Sequence, residues 1–96
     1  AMENQKTKLQ IEIIGRIKNL RQQNGISQKD MADYLDVTAG EIGNIESLKY
    51  KNKYTLKHLT LISKHLHVSI GELLFDEGHI KEDVDAVLER IVEYLG

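Results

Sequence analysis

The 96-residue sequence has no cysteine, no proline and no tryptophan, and one phenylalanine beside four tyrosines. Without cysteine there is no disulfide to staple the fold and no thiolate to hold a metal. Without proline no helix carries a built-in break, so glycines and capping side chains must set the boundaries. So few aromatics cannot dominate a core, which isoleucine and leucine must fill. No apolar run approaches the ~20 residues of a membrane-crossing helix, and no signal-peptide pattern opens the chain. Internal repeats and low-complexity tracts are missing too. A cytoplasmic protein with no membrane contact is expected. Ala1 ahead of Met2 reads as a cloning remnant and stays outside the fold reading. A hydrophobic share of 41% over this length suits one small domain with room for an appendage.

The charge is unevenly spread. The net value of −2 hides a split: residues 1–69 hold eleven Lys and Arg against seven Asp and Glu, net +4, and residues 70–96 hold two against eight, net −6. A basic front and an acidic end is the asymmetry expected when one part meets phosphate and the other does not.

What is present is helical periodicity nearly end to end, without convincing strand alternation. Thr7 and Gln10 have capping-box spacing, which starts a first helix near Lys8. Ile13, Ile17 and Leu20 form its apolar stripe, and Gly25 ends it in the left-handed conformation. Ser27 caps a second helix, with Asp30 near its positive end and Met31, Ala32 and Leu35 inward. The small Ala32 lets two short helices cross closely. Asp36 takes the next turn, where positive φ is needed and aspartate tolerates it, and Val37 anchors that turn in the core. Thr38 and Glu41 form a second capping box and open a third helix, with Ile42 and Ile45 inward. A loop from Leu48 to Tyr54 follows, its last tyrosine plugging the core. Thr55 opens a fourth helix with Leu56, Leu59, Ile62 and Leu66 inward, and Ser69 with Glu72 caps a short fifth helix. Asp76-Glu77-Gly78 reads as a linker. Beyond it Ile80, Val84, Val87, Ile91 and Tyr94 recur at steps of four and three, a heptad-like stripe.

Two short capped helices separated by a tight turn, over residues 27–46, have the layout of a DNA-binding helix-turn-helix, whose second helix lies in the major groove. On the helix opened by Thr38, residues Ala39, Gly40, Gly43, Asn44 and Ser47 point outward and would meet DNA. Asn44 suits adenine and Ala39 a thymine methyl, but there is no arginine to grip guanine. Phosphate contacts are assigned to Gln28, Lys29, Thr38, Ser47, Lys49, Lys51 and Lys53. Glycines 40 and 43 weaken a helix by about 1 kcal/mol each relative to alanine. Closer approach of the backbone to DNA would be a return for that; a poorly specific recognition helix is the plainer reading.

The same residues carry a family resemblance. Ile17-x-x-Leu20-Arg21, Gly25-Ile26-Ser27-Gln28, Met31-Ala32 with Leu35, Val37-Thr38, Ile42-x-x-Ile45-Glu46, Leu59-x-x-Ile62 and Leu66-x-Val68-Ser69-x-x-Glu72-Leu73 together resemble the lambda-repressor/Cro-like (XRE-type) helix-turn-helix regulators, over about residues 9–75. The resemblance implies an all-α fold: a five-helix lambda-repressor-like DNA-binding domain over 1–75, with an N-terminal arm at 1–7. The segment 76–96, a linker and an additional C-terminal amphipathic helix, lies outside it. It further implies that Gln28 bonds a backbone phosphate and braces the recognition helix, and that Arg21 pairs with Glu46. The chain departs from the family at Leu48 and Asp36, where glycine is usual, at Gly43, where serine is common, and at His67. Its loop before the fourth helix is about two residues longer.

A single module with few base contacts binds weakly, so a homodimer reading two half-sites of double-stranded DNA is expected, acting as a repressor. Ile80, Val84, Val87, Leu88, Ile91, Tyr94 and Leu95 are the dimerisation candidates; a helix folded back on its own domain is the other reading. The other function class is a protein-interaction module, such as an antitoxin, whose C-terminal segment binds a protein partner. His58, His65, His67 and His79 have no cysteine or carboxylate at ligand spacing, so no metal and no cofactor is expected. Without a phosphate-cradling glycine loop, a nucleophile elbow or a zinc-protease motif, an enzyme is not expected.

Overall fold

Every helix begins where a side chain caps it. The computed structural model describes residues 6–76, 78 and 83–96, and among these it forms helices α1 (Lys8–Gln23), α2 (Gln28–Leu35), α3 (Ala39–Glu46), α4 (Leu56–Leu66), α5 (Ile70–Leu74) and α6 (Val84–Leu95), without a strand. Thr7, Ser27, Thr38, Thr55, Ser69 and Asp83 accept from backbone N–H groups of the first turns, which satisfies donors that a helix start leaves open. Thr7 with Gln10, Ser27 with Asp30 and Ser69 with Glu72 make reciprocal capping boxes. Thr38 and Glu41 do not complete theirs. Glu41 N–H donates to Thr38 Oγ1 at 3.0 Å, but the Glu41 carboxylate turns to Asn52 Nδ2 instead. At α4 a box forms that the sequence did not advertise, because His58 Nδ1 accepts from the Thr55 N–H at 3.1 Å.

The turns follow backbone chirality. Gly25 (φ 66°) closes α1, while Asp36 (φ 59°) and His67 (φ 55°) close α2 and α4 in the left-handed region, which asparagine and aspartate tolerate better than most side chains.

The core is aliphatic, as the composition required. Ile13 and Ile17 of α1, Met31 of α2, Ile42 and Ile45 of α3, Leu59 and Ile62 of α4, and Leu73 and Leu74 of α5 are all fully buried, with Tyr54 among them. Each such aliphatic side chain stabilises the fold by roughly 1.5–3 kcal/mol on transfer from water. Leu56 departs from its expected inward place: it is 46% exposed at the first position of α4.

The C-terminal helix shares this core. Tyr94 is fully buried, its hydroxyl donates to Tyr54 O at 2.9 Å, and Gln10 Nε2 donates to Tyr94 O at 2.7 Å. Val87 and Ile91 pack against the same cluster. Arg90 fastens the other side: Nε donates to Leu74 O at 2.8 Å, Nη2 meets Glu12 at 3.0 Å, and the guanidinium lies 5.0 Å from the Phe75 ring centre. α6 therefore folds back on its own domain.

Candidate nucleic-acid interface

The α2–turn–α3 unit presents one helix face outward because the opposite face is committed to the core. Ala32 and Met31 of α2 are buried and α2 packs on α3, and the Val37 N–H donates to Ala32 O at 3.0 Å across the turn. With Ile42 and Ile45 fully buried, helical periodicity puts the intervening positions on the far side. Thr38, Ala39 and Gly40 are exposed, and Gly43, Asn44 and Ser47 are half-buried.

A chain of polar contacts behind α3 fixes its orientation. Arg21 of α1 meets Glu46 in a fork, Nε to Oε2 at 2.8 Å and Nη2 to Oε1 at 3.0 Å, with side chains only 8% and 4% exposed. Its remaining nitrogen, Nη1, donates to Ile26 O at 2.8 Å. Gln28 Nε2 of α2 donates to the same Glu46 Oε1 at 3.0 Å. One carboxylate thus ties three helices together, and a planar guanidinium matches it bidentately. Gln28 also borders Gly43, where an added Cβ would meet Gln28 Oε1 at 3.9 Å, an ordinary van der Waals distance.

The loop after α3 carries the predicted lysines. Lys49 and Lys51 are exposed and Lys53 is half-buried. Ser47 Oγ accepts from the Lys49 N–H at 3.1 Å, and Asn52 Nδ2 donates to both Glu41 oxygens at 3.0 and 3.2 Å. Lys29, on the first turn of α2, sits 3.6 Å from Asp33 in a solvent-exposed pair, an arrangement worth little in itself.

Sequence reasoning missed two residues here. Asn52 pins the loop to α3. Lys6 is 6% exposed, and its Nζ donates to Ser47 O at 2.6 Å, to Asn44 O at 3.4 Å and to Tyr50 O. Burial of the ammonium lowers its pKa. Neither contact has a local signature, because both partners lie across a turn or a helix.

The dimerisation candidates divide. Tyr94, Val87 and Ile91 are taken up by the domain's own core, and Ile80 lies outside the described residues. Val84, Leu88 and Leu95 are 67%, 53% and 40% exposed, and they are joined by Val92 at 69%. Leu95 and Leu56 share an open cleft with Lys51 and Lys53, so the end of α6 adjoins the lysine loop. No group of three or more His, Asp or Glu side chains among the described residues is placed to hold a metal.

Comparison with known proteins agrees with this geometry. A helix-turn-helix family model matches residues 17–73, from the middle of α1 into α5. No curated protein and no solved structure matches the chain. No described helix is long and apolar enough to cross a membrane.

Proposed function

Because the chain belongs to the XRE, lambda-repressor-like helix-turn-helix family of DNA-binding regulators, we propose that it is a sequence-specific repressor that occupies its operator as a homodimer. The observation that carries this reading is a small-residue helix face, Ala39, Gly40, Gly43 and Asn44, braced from behind by the Arg21–Glu46–Gln28 contacts and flanked by Lys49, Lys51 and Lys53. α3 enters the major groove. Asn44 offers its amide to an adenine edge, and Ala39 a methyl group to thymine. Gln28, Lys29, Thr38, Ser47 and the loop lysines take phosphates. With no arginine on that face, discrimination leans on backbone approach and DNA shape.

Two copies are needed because one module offers few base contacts. The surface assigned to pairing is the outward stripe of α6, Val84, Leu88, Val92 and Leu95, rather than the inner stripe that the core has taken. Selection of random-sequence duplexes at two salt concentrations, with sedimentation of the complex, tests the whole reading. A two-fold symmetric site bound by two chains is expected. Salt-sensitive binding without enrichment of any site would overturn it.

One observation favours a second reading, a protein-interaction module of the antitoxin kind. The α6 stripe is accompanied by Asp85, Glu89 and Glu93 on the same helix, and like charges facing each other across a self-pairing disfavour it. A partner with an apolar face and basic rim fits that surface. A chain that stays monomeric at high concentration while still binding DNA supports this second reading against the first.

A further inference from the structure

The helices end in two ways. α1, α2 and α4 are followed by a left-handed residue, Gly25, Asp36 or His67, which turns the backbone so that its own N–H groups reach the last carbonyls. α3 and α5 end on extended residues, Ser47 with ψ 141° and Phe75 with ψ 155°. There, cations from other elements meet the carbonyls. At α5, Arg16 Nη1 donates to Leu73 O and Arg90 Nε to Leu74 O, both at 2.8 Å. At α3 the cation is Lys6, which donates to Asn44 O in the last turn, to Ser47 O at the cap and to Tyr50 O in the loop.

We propose that Lys6 is a positioning residue for DNA recognition, holding the base-facing helix α3 and the phosphate-facing lysine loop as one rigid body; the proposal rests on the DNA-binding reading above. The extended exit at Ser47 sends the chain outward instead of folding it back, and that exposes Lys49 and Lys51. The same exit keeps one cap bond, Ser47 N–H to Asn44 O at 3.3 Å, but gives up the bond from the next residue that closes α1, α2 and α4 through Ile26, Val37 and Val68. One ammonium takes the place of that second bond and reaches further, because its third acceptor lies three residues beyond the helix cap. Its charge sits at the negative end of the α3 dipole. A loop fixed before binding has less freedom to lose when DNA arrives. Lys6 itself is buried, so the effect passes through the groups it holds.

The test compares the full chain with Lys6→Met and Lys6→Arg on a selected duplex and on a random duplex of equal length, across a salt series. Amide exchange over residues 47–53 is followed in parallel. Lys6→Met is expected to bind the selected site about tenfold more weakly, as loss of preorganisation predicts, with little change on random DNA and faster exchange at 47–50. Lys6→Arg, which keeps the charge and the donors, is expected to recover most of the loss. Should Lys6→Met melt below the assay temperature, Lys6→Gln is read by the same criteria. Binding within twofold of the parent, or unchanged exchange, overturns the proposal. So does equal weakening on both duplexes with a salt slope smaller by about one, since that marks a direct phosphate contact. A parent chain that binds neither duplex removes the DNA-binding reading and this proposal with it, an outcome distinct from a binding parent and an indifferent Lys6→Met.

Discussion

Gly43 lies in the interior of α3, and the fold gives no reason for a glycine there. It is not among the positive-φ residues, and a Cβ built on it would meet Gln28 Oε1 at 3.9 Å, an ordinary van der Waals distance. Alanine should therefore fit without displacing the Gln28–Glu46 bond. Replacing glycine by alanine in a helix interior stabilises by roughly 0.5–1 kcal/mol, chiefly by narrowing the unfolded ensemble. For a domain of this size that is a rise in melting temperature of roughly 3–6 °C. Thermal melts followed by circular dichroism measure it directly. A fall in the melting temperature would refute the reasoning, because it would mean that α3 packs more tightly against α2 than the 3.9 Å approach to Gln28 Oε1 indicates. The same variant separates two explanations of the glycine. If the backbone of α3 approaches DNA closely, Gly43→Ala binds the selected duplex more weakly although it is more stable. If affinity is retained, the glycine only weakens the helix, and the recognition face is simply poor in contacts.

Other substitutions read single contacts. Arg21→Ala leaves the Glu46 carboxylate buried with only the Gln28 donor and should cost about 3 kcal/mol in a urea melt, with the double variant Arg21→Ala/Glu46→Ala costing less than the two single changes added together. Equal, additive losses would mean that the two side chains do not interact. Tyr94→Phe removes a buried donor to Tyr54 O and should cost about 1 kcal/mol. Tyr54→Phe should be neutral or stabilising, because the Tyr54 hydroxyl is buried with no protein partner among the described residues. The reverse order would show that α6 is not docked as described. Burial holds the His58 imidazole below its ordinary pKa, against the opposing pull of Glu41 and with some help from Lys57. With the folded value depressed, the unfolded chain takes up its proton first, so stability is lost as pH falls below about 6.5, the ordinary histidine value. His58→Gln retains a box partner that does not titrate. Its melting temperature should fall less than the parent's between pH 7.5 and 5, and parallel pH profiles would rule this out.

The legible part of the fold was the part written locally. Thr7, Ser27, Thr55 and Ser69 sit directly ahead of their helices, and Asp36 and Gly25 stand where the backbone turns left-handed. The outward placement of Ala39, Gly40 and Asn44 follows from Ile42 and Ile45 pointing in. The Arg21–Glu46 geometry joins residues 25 positions apart, and only a resemblance, not periodicity, suggested it. The α6 stripe shows where pattern alone fails. Ile80, Val84, Val87, Ile91 and Tyr94 read first as a pairing seam, with a face turned on the helix's own domain as the alternative. Tyr94 decides it, since a carbonyl from Tyr54 is within reach of its hydroxyl and Gln10 takes its carbonyl. Once those bonds are made, the surface left to a partner is rotated to Val84, Leu88 and Val92.

The two helix ends without left-handed caps were the least legible, for a reason that sets a limit on reading caps from sequence. A glycine or asparagine after a helix announces itself beside the end it closes. A lysine or arginine that does the same work stands anywhere the fold returns it, 38 residues before Asn44 for Lys6 and 16 residues after Leu74 for Arg90. Both cations serve exits that must leave a helix in an extended direction. At α5 that exit leads the chain toward α6, and at α3 it leads into the lysine loop. The same geometry that exposes Lys49 and Lys51 makes the loop, under the Lys6 proposal, dependent on a distant side chain. Reversing Ser47 to glycine tests this dependence. A glycine at 47 can adopt the left-handed cap, and in that background Lys6→Met should no longer change the melting temperature. If Lys6→Met remains equally destabilising there, Lys6 acts elsewhere than at the end of α3.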